Sequence, residues 1–386
     1  MTEWKEYKLS DIGTIVGGAT PSTKDASNYD DGEIAWLTPK DLSSFTERYI
    51  SRGERNITEK GFKSSSTQML PVNTVLFSSR APIGYVAIAA NKMCTNQGFK
   101  SIIPNSKVDY LFLYYLLKYK KNEIEGMGSG TTFKEVSGNV MKNIEVQIPT
   151  DINIQKKIAD VLDKIDSKIE NNTAINRNLL AQANAMYKEM VLDLADNEVS
   201  EGVLSDIATI VMGQSPKGDT YNEEGKGEVF YQGRAEFGER FPTRRLYTTD
   251  PKRMAEVNSV LMSVRAPVGD INVAYERCCI GRGLCSVYSN DNHQSFVLYT
   301  MYSLRKDFDI YNGEGTVFGS INRDAMNNMK IRIPQQTVVD RFEELVSPID
   351  SMIKKNYEEN CRLIMLRDSL LPKLISGDLD VSDLEI

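Results

Sequence analysis

The side chains that usually make and break bonds are scarce in this sequence and badly spaced for it. There is one histidine, His293, close to Asp291 in a Ser-Asn-Asp-Asn-His-Gln stretch, and a lone loop histidine of this kind is expected at the surface. Five cysteines, Cys94, Cys278, Cys279, Cys285 and Cys361, show no Cys/His spacing suited to zinc. Their odd number reads as free thiols in a reducing compartment, with Cys278, Cys279 and Cys285 in or near the core. No G-x-x-x-x-G-K-[ST] loop is present to cradle a nucleotide. The Asn-Pro-Pro-aromatic motif of amino-methyltransferases and the G-x-S-x-G elbow are also missing, and Gly281-Arg282-Gly283 is too short for a cofactor loop. Asp160 with Asp163, and Glu343 with Glu344, read as solvated helix faces rather than acid–base pairs. No catalytic residue and no metal ligand is expected.

What the chain does offer is hydrogen-bonding chemistry on loops. Arg, Lys, Gln and Asn can bond base edges, and hydroxyls and cations can bond phosphate. Tyr231-Gln232-Gly233-Arg234 and Phe241-Pro-Thr-Arg244-Arg245 combine such groups with Gly turns and aromatics. Lys40, Arg48, Arg52 and Arg55 occupy a comparable earlier stretch. Thr20-Pro21-Ser22-Thr23-Lys24 and Ser215-Pro216-Lys217 place hydroxyls and a lysine on rigid turns. The alternative reading of each is an ordinary solvated loop or β-turn.

The elements that position these groups come in two copies. Leu9-Ser-Asp-Ile-Gly-Thr-Ile-Val16 returns as Leu204-Ser-Asp-Ile-Ala-Thr-Ile-Val211, at an offset of 195. VNTVLFSSRAPIGYVAIA (72–89) returns as VNSVLMSVRAPVGDINVA (257–274), and GSGTTF (128–133) as GEGTVF (313–318), both at 185. Each copy then reaches a β-like segment ending in Pro, NIEVQIP (143–149) or KIRIP (330–334). Within a copy, short β-like runs at 74–78, 85–89, 260–264 and 271–274 are bounded by Gly and Pro. An apolar helix is expected at 108–120 and again at 295–306.

After each copy comes a long amphipathic helix. From 152 to about 194, Ile154, Ile158, Val161, Ile165, Ile169, Leu179, Ala183, Met186 and Met190 recur every three or four residues, with neither Pro nor Gly among them. A helix of that length spans roughly 60 Å and needs a partner along its stripe. The stripe returns from 338 to 375 at an offset of 184, and its two interruptions, Asn172 and Asn176, return as Asn356 and Asn360. With the helices antiparallel, all four Asn would meet at the midpoint and mark the register, or else lie solvated at the seam's edge. Pro348 falls inside the second helix, where a kink or a fresh helix start is expected.

The chain's 386 residues allow two or three domains. Its net charge of −7 is uneven: +2 over 1–150, −3 over 151–200, −1 over 201–335 and −5 over 336–386. The acidity lies mostly in the helical stretches, and the two larger regions are near neutral. The N-terminal stretch has no apolar signal core, and the longest apolar run, 110–117, is far too short to cross a bilayer, so a cytoplasmic protein without membrane contact is expected.

This layout resembles the specificity (S) subunit of Type I restriction–modification systems, over essentially the whole chain. The marks are the Leu-Ser-Asp-Ile starts, Gly18-Ala-Thr-Pro21 and Gly213-Gln-Ser-Pro216, the Arg-Ala-Pro-φ-Gly blocks, the Ile-Pro junctions to long helices, and LLPKLISGDLDV at 370–381. The resemblance implies an α+β fold with two target recognition domains joined by two long antiparallel helices forming a coiled coil. The divisions would be 1–150, 151–199, 200–335 and 336–386. Each domain would bind one half of a split double-stranded DNA target. The helices would act as the ruler between halves and dock two modification (M) subunits. Those would bind S-adenosylmethionine and methylate adenine N6. Restriction (R) subunits would bring ATP, Mg and cleavage. The chain itself would hold no cofactor and would not be an enzyme.

On that reading the candidate DNA contacts are Thr20, Ser22, Lys24, Lys40, Arg52, Arg55, Arg80, Ser215, Lys217, Gln232, Arg234, Arg244, Arg245 and Arg265. Arg80 and Arg265 are the same in both copies, whereas domains that read different half-sites must differ where they read bases. These two are therefore expected to hold phosphate or the fold. The divergent stretches 24–70 and 217–255 are expected to carry specificity. The Gly130-Thr-Thr-Phe133 and Gly315-Thr-Val-Phe318 repeats are expected to be fold elements. Two other classes remain open: a self-contained restriction or modification enzyme with fused recognition domains, and a structural protein-binding adaptor.

Overall fold

The structure, a computed structural model, describes residues 3–130, 134–313 and 319–381. The chain forms two compact units, Met1–Thr173 with Glu358–Ile386, and Ala174–Tyr357. Each is mixed α+β and carries one copy of the repeat.

The first unit opens with strand Trp4–Lys8 antiparallel to Glu145–Pro149, so the Ile-Pro segment is the partner of the N-terminal strand. Leu9-Ser-Asp-Ile12 is a single helical turn. The Asp11 carboxylate accepts from the Lys8 N–H at 2.9 Å, and Leu9 and Ile12 are fully buried. The motif is thus a cap with two apolar anchors. Gly13–Gly17, Lys100–Pro104, Val75–Ser79, Ile83–Ala89 and Tyr49–Ile50 form a five-stranded sheet in that order. Ile34–Leu37 lies between Asn56–Ile57 and Cys94–Thr95 in a second sheet. Helix Tyr110–Gly126 is capped by Asp109, which accepts from the Leu111 and Phe112 N–H groups, and it buries Phe112, Leu113, Leu116 and Leu117 in the core.

The second unit repeats this plan. Val199–Val203 pairs antiparallel with Lys330–Pro334, and the Asp206 carboxylate caps Leu204–Ile207 by accepting from the Val203 N–H at 2.8 Å. One sheet runs Ala208–Met212, Leu284–Ser289, Val260–Ser263, Ile271–Val273. The other runs Tyr221–Asn222, Tyr247–Thr248, Glu228–Tyr231, Cys278–Ile280, Met254–Ala255. The expected apolar helix is Gln294–Ser303, followed by the short turn Arg305–Phe308.

The long helices are Ile152–Tyr187, extended by a π-turn at Lys188–Leu192, and Gln336–Ser376. In the first unit Ile158 and Leu162 share a core with Leu374 and Ile375, Asp166 pairs with Arg367 at 2.8 Å, and Asn172 bonds Asn360 at 2.9 Å. Numbers rise along one helix as they fall along the other, so the pair is antiparallel there. The second unit shows the same sense, with Asn356 donating to Asn176 at 2.8 Å and the Tyr187 and Phe342 rings 5.5 Å apart.

Pro348 does not start a new helix, because Gln336–Ser376 is one unbroken element. An interior proline costs roughly 3 kcal/mol through one lost N–H and a crowded carbonyl. Here Val346 and Ile353 are buried on either side, and Asp350 is held by Tyr299 and Arg240, so tertiary packing outweighs that cost. The repeated Gly-Thr-x-Phe segments fall largely outside the described residues, which omit 131–133 and 314–318.

Candidate nucleic-acid interface

A parallel strand pair sets the local frame in each unit. Trp36 and Leu37 lie opposite Cys94 and Thr95, and Phe230 and Tyr231 opposite Cys279 and Ile280. Where the pair ends, the Asn96 N–H donates to Leu37 O and the Gly281 N–H to Tyr231 O, both at 2.8 Å. The Gly-x-x-Pro turn is tied to the same point: Ala19 N–H to Thr95 O at 3.0 Å, Gln214 N–H to Ile280 O at 2.9 Å. This approach is why the turn begins with glycine. A Cβ on Gly18 would lie 2.1 Å from Thr95 O, and one on Gly213 would lie 2.2 Å from Gly281 O. The Arg-Ala-Pro block joins from the other side, with Ser79 N–H donating to Gly98 O at 2.7 Å and Val264 N–H to Gly283 O at 2.9 Å. Both blocks then turn through a cis Ala–Pro bond, Ala81–Pro82 and Ala266–Pro267. Three segments distant in sequence thus converge on one edge in each unit.

Several candidate contacts stand on this edge. The Thr20 hydroxyl donates to the Gln97 side chain, and Ser215 Oγ accepts from the Arg282 N–H at 3.1 Å. Gln232 is exposed and offers its carbonyl to the Gly283 N–H at 3.2 Å. Arg80 and Arg265 directly follow the residues that bond Gly98 and Gly283. Arg80 lies 3.5 Å from Glu135, whereas Arg265 is exposed and forms no ion pair among the described residues. Ser22 is exposed, and its carbonyl accepts from Asn28 Nδ2 at 3.0 Å. Lys24, Arg52 and Lys217 are exposed and likewise without an ion pair among the described residues.

The other candidates are engaged. Lys40 pairs with Glu54 at 2.9 Å, and Arg55 lies over the Tyr29 ring at 3.8 Å. Arg234 pairs with Asp270, Arg244 with Glu276, and Arg245 with Glu236 and Glu223. An arginine already facing a carboxylate carries little net charge toward an anion, whereas Lys24, Arg52, Lys217 and Arg265 have no such partner among the described residues.

Two exposed side chains on this edge went unflagged by sequence patterns. Gln97 and Arg282 sit at its tip, flanked by the buried Thr95, Gly98 and Phe99 and by the buried Ile280, Gly281 and Leu284. The signal that finds them is the offset of 185, which lays Asn96-Gln97-Gly98 over Gly281-Arg282-Gly283.

Other residues anchor the sheets and loops of each unit to the long helices. Arg48 is 5% exposed and grips the first long helix, with Nη2 bonding Glu170 at 2.8 Å and Ser167 at 2.8 Å, and Nη1 bonding Asp163. Asp163 is therefore not a solvated face. Nor is Glu343, whose carboxylate accepts from the Ser295 and Phe296 N–H groups at 3.2 and 3.0 Å and caps that helix from outside it. His293 is not a surface bystander either. Its ring lies 2.9 Å from both Asp291 and Asp340, the latter on the second long helix. Burial opposes its charge, but the two carboxylates prevail and raise its pKa, while His293 helps lower that of Asp291 against burial. Asn172, 1% exposed, donates to Glu359 and Asn360, and Asn360 donates to Thr173 at 3.2 Å.

The buried thiols are chemically quiet. Burial pushes Cys94 up to about 11 and Cys278 and Cys285 up to about 12, so these stay protonated and poor as nucleophiles or ligands. Among the described residues no three His, Cys, Asp or Glu side chains are grouped to hold a metal ion, and no helix is long and apolar enough to cross a membrane.

Comparison with known proteins agrees with this duplicated architecture. The Type I restriction modification DNA specificity domain matches residues 1–181 and 197–359. The Type I restriction enzyme MjaIX specificity subunit of Methanocaldococcus jannaschii is 32% identical, covering 99% of this chain and 95% of that one. The EcoR124I/EcoR124II specificity subunit of Escherichia coli is 26% identical over 43% of this chain and 41% of its own. The crystal structure of a Type I restriction-modification S subunit from M. genitalium superposes with a TM-score of 0.63 at 18% identity, covering 97% of this chain and 96% of that one, which is a likeness of fold. With the domain matched twice and a relative aligned nearly end to end, the chain belongs to the Type I restriction modification DNA specificity family.

Proposed function

We propose that the chain is the DNA sequence-recognition subunit of a Type I restriction–modification complex and is not itself catalytic. Each unit binds one half of a split duplex target through the edge where the Gly-x-x-Pro turn, the Arg-Ala-Pro block and the parallel strand pair converge. The long helices set the spacer between the halves and carry two modification subunits. Those subunits supply S-adenosylmethionine and adenine N6 methylation, and restriction subunits supply ATP- and Mg-dependent cleavage. The observation that carries this reading is the edge itself, built twice on the same backbone bonds but presenting different exposed side chains. Two frames that share these bonds but differ in their surfaces suit two different half-sites.

The test uses the pure chain and the chain with its modification subunits. Incubated with duplex DNA, Mg²⁺ and labelled S-adenosylmethionine, the pure chain should neither methylate nor cut. The complex should methylate a bipartite sequence. Label transfer by the pure chain would favour a self-contained enzyme. Sequence-specific binding that survives loss of either unit would favour an adaptor role.

A further inference from the structure

We infer that Gln97 and Arg282 are equivalent base-reading residues, Gln97 for an adenine in one half-site and Arg282 for a guanine in the other. The inference rests on the proposed function and adds which side chains read and which base each takes.

Both residues occupy the same place in a shared frame. Asn96–Phe99 and Gly281–Leu284 are tight turns closed by the Phe99 N–H to Asn96 O at 3.3 Å and the Leu284 N–H to Gly281 O at 3.0 Å. The strand pair, the Gly-x-x-Pro turn and the Arg-Ala-Pro block fix each turn from outside through matching backbone bonds. Some neighbours agree between copies, Pro21 with Pro216 and Arg80 with Arg265, and Thr20 and Ser215 both carry a hydroxyl, whereas Asn96 and Phe99 stand against Gly281 and Leu284. The tip does not agree, being Gln in one copy and Arg in the other.

The exposed tip of a frame held by matching backbone bonds is a position where two domains with different targets should diverge. The two side chains are also those whose geometry matches purines in the major groove. A Gln amide pairs with adenine N6 and N7, and an Arg guanidinium pairs with guanine O6 and N7, each through two hydrogen bonds. A preformed turn holds such a side chain at little entropic cost. Arg282 is also unmasked. Unlike Arg234, Arg244 and Arg245, it forms no ion pair among the described residues, so its fork is open to a base. Arg265, emerging beside its tip and without an ion pair among the described residues, is placed for the phosphate that accompanies the base, whereas Arg80 faces Glu135 at 3.5 Å.

The experiment is a selection from duplex DNA carrying two randomised half-sites, using the full chain with its modification subunits and comparing wild type, Gln97→Arg, Arg282→Gln and Arg282→Lys. Wild type should select a split motif with adenine in one half and guanine in the other at the tip-read positions. Arg282→Gln should change or relax one base pair in one half only, with about ten- to a hundredfold loss of discrimination there. Gln97→Arg should act on the other half only. Arg282→Lys keeps the charge and the fold but not the fork, and should relax the same base pair as Arg282→Gln. The inference is overturned if both tip variants leave the motif unchanged, or if Arg282→Gln weakens binding equally across all sequences while Arg282→Lys restores it, the pattern of a phosphate contact. Selection of no split motif by wild type would overturn the proposed function first, and this inference with it.

Discussion

Tyr115 donates its phenolic hydrogen to Asp166 on the first long helix at 2.9 Å. At an offset of 184 the bond recurs, Tyr299 donating to Asp350 at 3.0 Å on the second. The cation that balances each carboxylate has a different source. Arg367 serves Asp166 from the opposing helix, and Arg240 serves Asp350 from the loop between Glu228–Tyr231 and Tyr247–Thr248. The Tyr–Asp bond is thus the shared part of the anchor. Tyr115→Phe and Tyr299→Phe should each cost about 1–2 kcal/mol, since a buried (Asp166) or half-buried (Asp350) carboxylate loses one donor and keeps its cation. Chemical denaturation of the two single variants should show similar losses, and no loss in either would remove the anchor.

Arg48→Ala should cost more, about 2–4 kcal/mol, because Asp163 and Glu170 then face each other's charge without the guanidinium between them. Arg48→Lys should recover only part of this, since a point charge cannot replace the fork that spans Asp163, Ser167 and Glu170. The shift in denaturation midpoint measures both.

The Asn172–Asn360 bond is a candidate register mark, as is Asn356–Asn176 in the second unit. Replacing Asn172 by Leu leaves the Asn360 side-chain oxygen without that donor and should destabilise by about 1–2 kcal/mol. The Asn172→Leu, Asn360→Leu double variant should recover most of that loss, leaving a coupling energy of about 1 kcal/mol or more in a double-mutant cycle. Additive losses would mean that the two amides do not depend on each other.

The His293 bridge predicts a pH dependence. Its folded pKa lies above the ordinary value of 6.5 because Asp291 and Asp340 favour the imidazolium. Its contribution is therefore fully present below 6.5 and is lost as pH rises through the raised folded value. Thermal unfolding of wild type minus His293→Gln should show a stability difference that shrinks on going from pH 6 to pH 9. A difference that grows with pH would contradict the bridge.

Phosphate binding should fall on the unpaired cations. Lys24→Ala, Arg52→Ala, Lys217→Ala and Arg265→Ala should weaken DNA binding uniformly across sequences, each lowering the salt slope by about 1. Arg244→Ala should change it less, because Glu276 already neutralises that guanidinium. Equal slopes for all five variants would refute the distinction.

Much of the fold is legible in the sequence because the repeat writes it twice. The Leu-Ser-Asp-Ile turns, the hairpins around Arg-Ala-Pro and the helical stripes follow from local spacing, and local spacing survives folding. Long-range partners do not show in that way. Asp163 and Glu343 look like solvated helix faces because nothing near them in sequence announces Arg48 or the Ser295 N–H. Pro348 looks like a helix start because the packing of Val346 and Ile353 is tertiary. At the candidate interface the arginine-rich stretch is conspicuous, yet the structure ties Arg234, Arg244 and Arg245 to carboxylates. Gly281-Arg282-Gly283 is easy to dismiss alone, and gains meaning only when the offset sets it against Asn96-Gln97-Gly98.

The most direct test of the central claim is single-molecule sequencing of DNA from a host making the full chain with its modification subunits. The proposed function predicts adenines methylated on both strands within a split motif. Exchanging residues 217–255 for those of another specificity subunit should change one half of that motif and leave the other intact. Methylation at a single uninterrupted sequence, or a motif indifferent to the exchange, would contradict it.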